Sequence, residues 1–238
     1  MPSPNVRIVS FSGIDGAVKS TQIAALLDYL EERGLSSKTY TFWDDIVVLS
    51  RFREQMSFSV FKGDRGVGSP EKPIVRRDKN VTSWYVVALR LVLYMLDACS
   101  LAILASRASA KDVVIFDRYI YDELANLPLN RRWVRAYIRI VIRLTPKPDL
   151  AFLLDADPDT ACQRKPEYPQ EFVEQNRKAY LRLACLAELS VLPPLTIEEM
   201  KAKIRNRVAE ICWEPVPNPT PVEVHCPAAG RAANSRIR

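Results

Sequence analysis

Histidine is almost absent from this chain of 238 residues. The one histidine, His225, lies in a proline-rich stretch near the C-terminus. Histidine is the side chain that most often acts as a general acid or base near neutral pH. Catalysis by histidine is therefore not expected, and any reaction must depend on other side chains.

Cysteine is present but shows no useful spacing. The five cysteines are scattered, odd in number and without a C-x-x-C pair: Cys99, Cys162, Cys185, Cys212 and Cys226. This pattern argues against a disulfide framework and against a zinc site. The first five residues also lack the charged-then-apolar order of a signal peptide. We therefore expect a cytoplasmic protein.

A concentrated basic segment is missing as well. The net charge is +6, with 34 basic and 28 acidic residues spread along the chain. Such an excess suits an acidic small molecule as well as nucleic acid. The nearest basic cluster, Arg131–Arg132–Trp133 with Arg135 and Arg139, has helical spacing and is typical of a solvated helix face. We predict no nucleic-acid partner.

One apolar stretch, residues 84–108, is long enough to resemble a membrane span. Arg90 and Asp97 interrupt it and Arg107 closes it. Each charge near the bilayer centre would cost roughly 2.5–3.5 kcal/mol. The stretch therefore predicts a long, mostly buried helix of a globular domain and no membrane partner.

Short, continuously apolar segments alternate with helical patterns along the rest of the chain. The expected strands are 6–12, 38–42, 113–116, 149–154 and 189–192, and the expected helices are 20–33, 84–108, 131–144, 170–187 and one that Thr196 caps. This alternation predicts an α/β fold, a doubly wound parallel sheet of about five strands with helices on both faces. We assign residues 1–213 to this domain and 214–238 to a disordered, proline-rich tail. The turn-rich segment 63–70 predicts a mobile loop.

The segment from Gly13 to Ser20 matches the phosphate-loop pattern G-x-x-x-x-G-K-[ST] at every defining position but one. A predicted strand precedes it and a predicted helix follows, which is the context that this pattern needs. Lys19 is expected to neutralise the β- and γ-phosphates of ATP, and the Ser20 hydroxyl to bind Mg²⁺. The nucleotide-binding residues predicted here are Gly13, Asp15, Gly16, Ala17, Val18, Lys19, Ser20 and Thr21.

The mismatch is Val18, which stands where the pattern has its second glycine. Glycine at this point lets the backbone approach the phosphates and adopt positive φ freely. A β-branched residue with positive φ would be a conformational outlier. Val18 therefore leaves open the hypothesis of a loop that binds ATP weakly.

Three ordered motifs resemble thymidylate kinases. The loop resembles that family's G-x-D-G-x-G-K-S-T, and residues 113–119, VVIFDRY, resemble its strand ending in Asp-Arg-Tyr. Residues 148–164 resemble its P-D-L-x-x-x-L-D-x-x-P-x-x-A-x-x-R segment. This third motif continues through residues 172–184, which resemble the family's F-x-x-x-x-R-x-x-Y-x-x-L-A helix, with Arg177, Tyr180 and Ala184 in register.

The resemblance implies phosphoryl transfer from Mg²⁺–ATP to a nucleoside monophosphate, with dTMP the best single candidate. It implies that Asp117 helps to hold the metal and that Arg118 contacts the acceptor phosphate. It further implies that Asp15 faces the acceptor and that Arg164 closes over the donor phosphates. The catalytic set implied is thus Lys19, Asp117, Arg118 and Arg164. A homodimer through the long apolar helix is also implied.

The sequence departs from that family in three places. Val18 replaces the loop glycine, Trp43–Ile46 replaces an E-P-G-G-T segment, and Asp97–Ala98 replaces the Asp-Arg pair that recognises thymine. Two alternatives therefore stay open. The acceptor could be another phosphorylated or hydroxylated metabolite, or the chain could be a non-catalytic nucleotide-binding protein.

Overall fold

The computed structural model describes residues 7–50, 53, 84–107 and 113–213. Its elements are β1 (Arg7–Ser12), α1 (Lys19–Glu32), β2 (Ser37–Thr41), a π-helical turn (Phe42–Ile46), α2 (Trp84–Arg107), β3 (Val113–Asp117), α3 (Ile120–Leu124), α4 (Arg132–Leu144), β4 (Leu150–Leu154), α5 (Pro158–Arg164), α6 (Gln170–Ala187), β5 (Ser190–Leu192) and α7 (Ile197–Trp213). The predicted loop at 63–70 and the predicted tail from residue 214 lie outside the described residues.

All strand pairs of the sheet are parallel, and the strand order is β2-β3-β1-β4-β5. Strand β1 is central, with Phe11 opposite both Asp117 of β3 and Phe152 of β4. Continuously apolar strands such as β3 fit a sheet whose two faces are both covered. The predicted α/β fold with five parallel strands is confirmed. The segment after β1 thus leaves the sheet between the carboxyl ends of β3 and β4.

Local signals at the helix ends are visible in the structure. Gly34 has φ 73° just after α1, the left-handed conformation that glycine adopts without penalty. At the start of α7, Thr196 and Glu199 form the predicted capping box: the Thr196 N–H donates to Glu199 Oε2 at 3.0 Å, and the Glu199 N–H donates to Thr196 Oγ1 at 3.3 Å.

Three short elements differ from the sequence prediction. Helices α3 and α5 have five and seven residues, too few for a hydrophobic period to be visible in the sequence. Strand β2 ends at Thr41 rather than Phe42, because a π-helical turn begins there. In that turn Phe42 and Ile46 are both buried, and the Asp45 carboxylate accepts a hydrogen bond from the Thr41 N–H at 2.7 Å.

The cysteines differ in state. Cys99, Cys162 and Cys212 are free thiols, whereas Cys185 is disulfide-bonded. The sequence argument against disulfides is therefore wrong at Cys185. Scattered spacing carries no information about which sulfur atoms the fold brings together.

Helix α2 contains the segment Val87–Ser106, which is long and apolar enough to cross a membrane by length and composition. The charged residue in the middle of this helix, Asp97, is nevertheless paired inside the protein. Asp97 is fully buried and accepts hydrogen bonds from the Val48 N–H at 2.9 Å and from both terminal nitrogens of Arg53, at 2.8 and 2.9 Å. Burial raises the pKa of Asp97, and the bonds from Arg53 and Val48 oppose that rise. These contacts attach one face of α2 to the core. Only 33% of the segment is buried, so the prediction of a mostly buried helix is wrong.

Replacing Arg53 by alanine should destabilise the fold, because it leaves the Asp97 carboxylate buried without its cation. Breaking a buried pair from one side costs about 3–5 kcal/mol in the free energy of unfolding. Arg207→Ala is the matched control, since Arg207 makes a surface pair with Glu210 that is worth about 0–1 kcal/mol. Urea unfolding measures both variants, and equal losses would contradict a structural role for the Arg53–Asp97 pair.

Candidate active site

The predicted phosphate loop occupies the carboxyl end of β1 and leads directly into α1. Gly13 has φ 142° and Gly16 has φ 85°. A Cβ atom at either position would come within 2.5 Å of a backbone oxygen, that of Leu154 for Gly13 and that of Ala161 for Gly16. The loop is therefore wedged between the end of β4 and helix α5, and both glycines are required by space as well as by φ.

Val18 adopts the backbone conformation of the glycine it replaces. Its φ of 54° and ψ of 25° lie in the left-handed region, and its side chain makes no capping bond to α1. The predicted outlier is thus present, at a cost of about 1–2 kcal/mol for a non-glycine residue. The Val18 carbonyl still accepts the Gln22 N–H at 3.1 Å, so the first turn of α1 forms normally.

Lys19 lies over its own loop. Its Nζ atom donates to the carbonyl oxygens of Gly13 and Ile14, both at 2.8 Å, and the residue is 7% exposed. Burial, followed by the positive charge of Arg118, lowers the pKa of Lys19 to about 8, against the opposing pull of nearby carboxylates. The Lys19 ammonium group is therefore hydrogen-bonded to weak acceptors, which phosphate oxygens could replace.

The two predicted metal ligands are placed on either side of the loop. Ser20 is exposed on the first turn of α1, and Asp117 ends β3 opposite Phe11. Within the described residues Asp117 makes no hydrogen bond or ion pair, and no group of three or more His, Cys, Asp or Glu side chains could hold a metal ion. A hydroxyl and a carboxylate are hard oxygen donors of the kind that Mg²⁺ uses beside phosphates and water.

Arg118 and Asp15, both predicted to face the acceptor, are in direct contact. Arg118 Nη2 donates to Asp15 Oδ1 at 2.5 Å, and Nη1 lies 3.7 Å from Asp122 Oδ1. Burial alone would lower the pKa of Arg118, but the two carboxylates outweigh it and raise the pKa above its ordinary value. The Arg118 backbone is itself unusual, with φ 70°.

Asp122 was not among the predicted site residues, although it is central to the site. The residue is 5% exposed and accepts hydrogen bonds from Ser12 Oγ at 2.7 Å, the Tyr119 N–H at 3.0 Å and the Tyr180 hydroxyl at 2.7 Å. Its one sequence signal was its position just after Asp-Arg-Tyr. Its partners could not be foreseen, because they belong to distant elements.

Helices α5 and α6 bring two further arginines to the loop. Arg164, the predicted donor-side arginine at the end of α5, donates from Nη1 to the Gly16 carbonyl at 3.5 Å. Arg177 of α6 binds the Asp155 carboxylate through Nε at 2.6 Å and Nη2 at 2.7 Å. That bond is the main cause of the raised pKa of Arg177. The structure thus brings Arg164 to the phosphate loop and ties Arg177 to the end of β4.

Where thymidylate kinases carry an arginine after the helical aspartate, this chain has Ala98, which is buried. The guanidinium next to Asp97 comes instead from Arg53, whose Nη2 also donates to the Leu93 carbonyl at 3.2 Å. Sequence reasoning missed Arg53 because no local spacing links it to α2.

Val18→Gly should relieve the left-handed strain in the loop. We expect the free energy of unfolding to rise by about 1 kcal/mol, and the Kd for ATP to fall because a backbone without Cβ can come closer to the phosphates. Val18→Ala keeps a Cβ at positive φ and serves as the control. Calorimetric titration with ATP measures both, and weaker binding by Val18→Gly would mean that the loop has adapted to valine.

Comparison with known proteins supports the motif-based resemblance. The chain is 26% identical over 213 residues to a probable thymidylate kinase of Methanosphaera stadtmanae, covering 84% of this chain and 96% of the relative. It is 26% identical over 211 residues to the thymidylate kinase of Fervidobacterium nodosum, covering 82% and 95%. No model of a known protein family matches the chain.

A solved structure gives the same picture of the fold. The thymidylate kinase of Candida albicans superposes with a TM-score of 0.58 at 16% sequence identity, covering 87% of this chain and 92% of that one. The structural similarity extends over nearly the whole length of both proteins. The sequence matches to the two relatives cover a similar share of each chain. The chain is similar to thymidylate kinases over most of its length, and the resemblance predicted from its three motifs is confirmed.

Proposed function

We propose that this protein transfers the γ-phosphoryl group of ATP to dTMP. The observation that carries the proposal is the contact between Arg118 and Asp15 at 2.5 Å, beside the buried ammonium of Lys19. Phosphoryl transfer requires the reacting groups to be held in line and cations to lie near the negative charge that spreads over the phosphoryl group. It requires little covalent chemistry from the protein. A site with one buried cation, Lys19, and one partly buried cation, Arg118, at a phosphate loop suits that requirement.

The donor and acceptor sides have separate residues. On the donor side, the loop from Gly13 to Thr21 holds the phosphates of ATP, Lys19 neutralises the β- and γ-phosphates, and Arg164 closes from α5. On the acceptor side, Arg118 binds the phosphate of the nucleoside monophosphate, and Asp15 fixes both Arg118 and the acceptor. The 3.5 Å approach of Arg164 to the Gly16 carbonyl supports its donor-side role.

Ser20 and Asp117 are the residues that would hold Mg²⁺. When bound, the ion neutralises charge on the phosphate oxygens that move apart during transfer. The exposed hydroxyl of Ser20 supports this assignment, as does the Asp117 carboxylate, which has no hydrogen bond or ion pair among the described residues.

We favour dTMP over another acceptor, and catalysis over nucleotide binding alone. Relatives named thymidylate kinase match this chain over four fifths of its length. The substitution at Ala98 is accompanied by a guanidinium at the same aspartate, that of Arg53. Val18 keeps the glycine-like backbone, and the catalytic cations Lys19, Arg118 and Arg164 are all retained.

The protein should consume ATP in the presence of Mg²⁺ and dTMP. Lys19→Ala should lower kcat/KM by about 100-fold or more, because the donor phosphates lose their principal cation. Lys178→Ala, at an exposed lysine of α6, is the control and should leave turnover unchanged. No turnover with dTMP, but ATP binding that Lys19→Ala removes, would indicate a different acceptor. No ATP binding at all would favour the non-catalytic alternative.

We also propose that the protein is a cytoplasmic homodimer. Helix α2 exposes one apolar face, at Leu89, Val92, Leu96 and Ile103. Helix α4 lies alongside, with the Tyr137 hydroxyl donating to the Leu91 carbonyl at 2.5 Å, and exposes Trp133, Ile140 and Leu144. Contiguous apolar patches of this kind mark interaction surfaces. A second copy would bury both helices by two-fold symmetry.

Leu96→Glu should dissociate the dimer, because it places a charge in the middle of that apolar face. Ile197→Glu, at an exposed isoleucine that begins α7, is the control. Light scattering after gel filtration should give twice the chain mass of 27.0 kDa for the wild type and the control, and the single-chain mass for Leu96→Glu. A wild type with the single-chain mass would contradict the dimer.

A further inference from the structure

Asp122 is a buried carboxylate to which neither the motifs nor the proposed reaction assigns a role. Its side chain is 4% exposed, so its charge must be balanced within the protein. Both carboxylate oxygens are in use: Oδ2 accepts from Ser12 Oγ and the Tyr119 N–H, and Oδ1 accepts from the Tyr180 hydroxyl. The remaining neighbour is the Arg118 guanidinium.

Asp122 constrains Arg118 at two points. The left-handed backbone of Arg118 is held by two hydrogen bonds, from its own N–H to the Phe11 carbonyl at 3.0 Å and from the next N–H, of Tyr119, to Asp122 at 3.0 Å. The guanidinium is held by Asp15 through Nη2 and by Asp122, 3.7 Å from Nη1. Strained backbone of this kind persists only where the surroundings fix it.

The carboxylate is itself fixed from two directions. Ser12 is the last residue of β1, directly before the phosphate loop, and is 1% exposed. Tyr180 lies on α6 and is 4% exposed. Asp122 thus links the strand that carries the loop, the arginine after β3 and a helix beyond the sheet. Its position relative to the loop is set by the core.

We propose that Asp122 is a positioning residue, which holds the Arg118 guanidinium in the orientation that receives the phosphate of the acceptor. This inference rests on the proposed function. Without the carboxylate, the guanidinium keeps one anchor, Asp15, and the Arg118 backbone loses one of its two hydrogen bonds. The effect should appear mainly in acceptor binding, since Asp122 pairs directly with Arg118, whereas it acts on Lys19 of the donor loop only through its charge.

The test is Asp122→Asn, which keeps the size of the side chain and removes its charge. Losing a charge-assisted contact should raise the KM and Kd for dTMP by about tenfold, with the KM for ATP within about twofold. Tyr180→Phe is the matched control, because it removes one bond to the same carboxylate and leaves the charge. It should change the KM for dTMP much less. A general loss of structure would instead raise both KM values together.

A double-mutant cycle separates positioning from mere packing. In an Arg118→Ala background, Asp122→Asn should have no further effect on the Kd for dTMP, because the group it orients is gone. Additive effects would overturn the proposal. If Asp122→Asn does not fold, Asp122→Ser, which keeps an acceptor for the Tyr119 N–H, replaces it with the same expected result.

Failure of the proposed function is distinguishable from failure of this inference. If the wild type binds no dTMP in calorimetry, the proposed acceptor is wrong. Inorganic phosphate, titrated with a non-hydrolysable ATP analogue and Mg²⁺ saturating the loop, is then the probe. Phosphate binding that Asp122→Asn weakens would support the positioning role. Equal binding by both proteins, or none by the wild type, would overturn it.

Discussion

The site depends on pairing two cations, Lys19 and Arg118, within the protein. Lys19 is buried and Arg118 is partly buried, and a buried charge without a partner costs several kcal/mol. Lys19 uses the carbonyls of Gly13 and Ile14, and Arg118 uses carboxylates. Burial and the charge of Arg118 lower the pKa of Lys19, whereas Asp122 and Asp15 raise the pKa of Arg118 against the effect of burial. Lys19 is thus hydrogen-bonded to neutral groups and Arg118 to a charged one.

Backbone strain is present at the same place, where two of the four non-glycine residues with positive φ among the described residues lie. Val18 and Arg118 are non-glycine residues with positive φ, and they lie at the ends of the two loops that face each other across β1 and β3. Each costs about 1–3 kcal/mol and persists only because neighbouring contacts over-determine it. The loop that contains Val18 is constrained because Gly13 and Gly16 lie close to the backbone oxygens of Leu154 and Ala161. Arg118 is constrained by the hydrogen bonds that its own N–H and the Tyr119 N–H donate.

Sequence reasoning found what periodicity and local motifs encode and missed what only the fold brings together. The five strands and the phosphate loop follow from patterns that span a few residues. The motifs assign Asp15 and Arg118 to the same side of the site but do not predict their direct contact. The pairs Asp122–Tyr180 and Arg53–Asp97 are separated by 58 and 44 residues. Neither has a spacing that predicts it. Both involve buried charge, whose partner is decided by packing and cannot be read from composition.

Helix α6 shows how the two sides of the site are joined. Arg177 binds Asp155 at the end of β4, and Tyr180, three residues later, binds Asp122 after β3. One face of α6 is therefore attached to carboxylates on both sides of the central strand. Helix α5 is bound to the phosphate loop by a longer hydrogen bond, 3.5 Å from Arg164 Nη1 to the Gly16 carbonyl. If α5 moves when nucleotide binds, the change has to be taken up between α5 and α6, because breaking the bonds of α6 would separate Asp155 from Arg177 and remove one of the hydrogen bonds to Asp122.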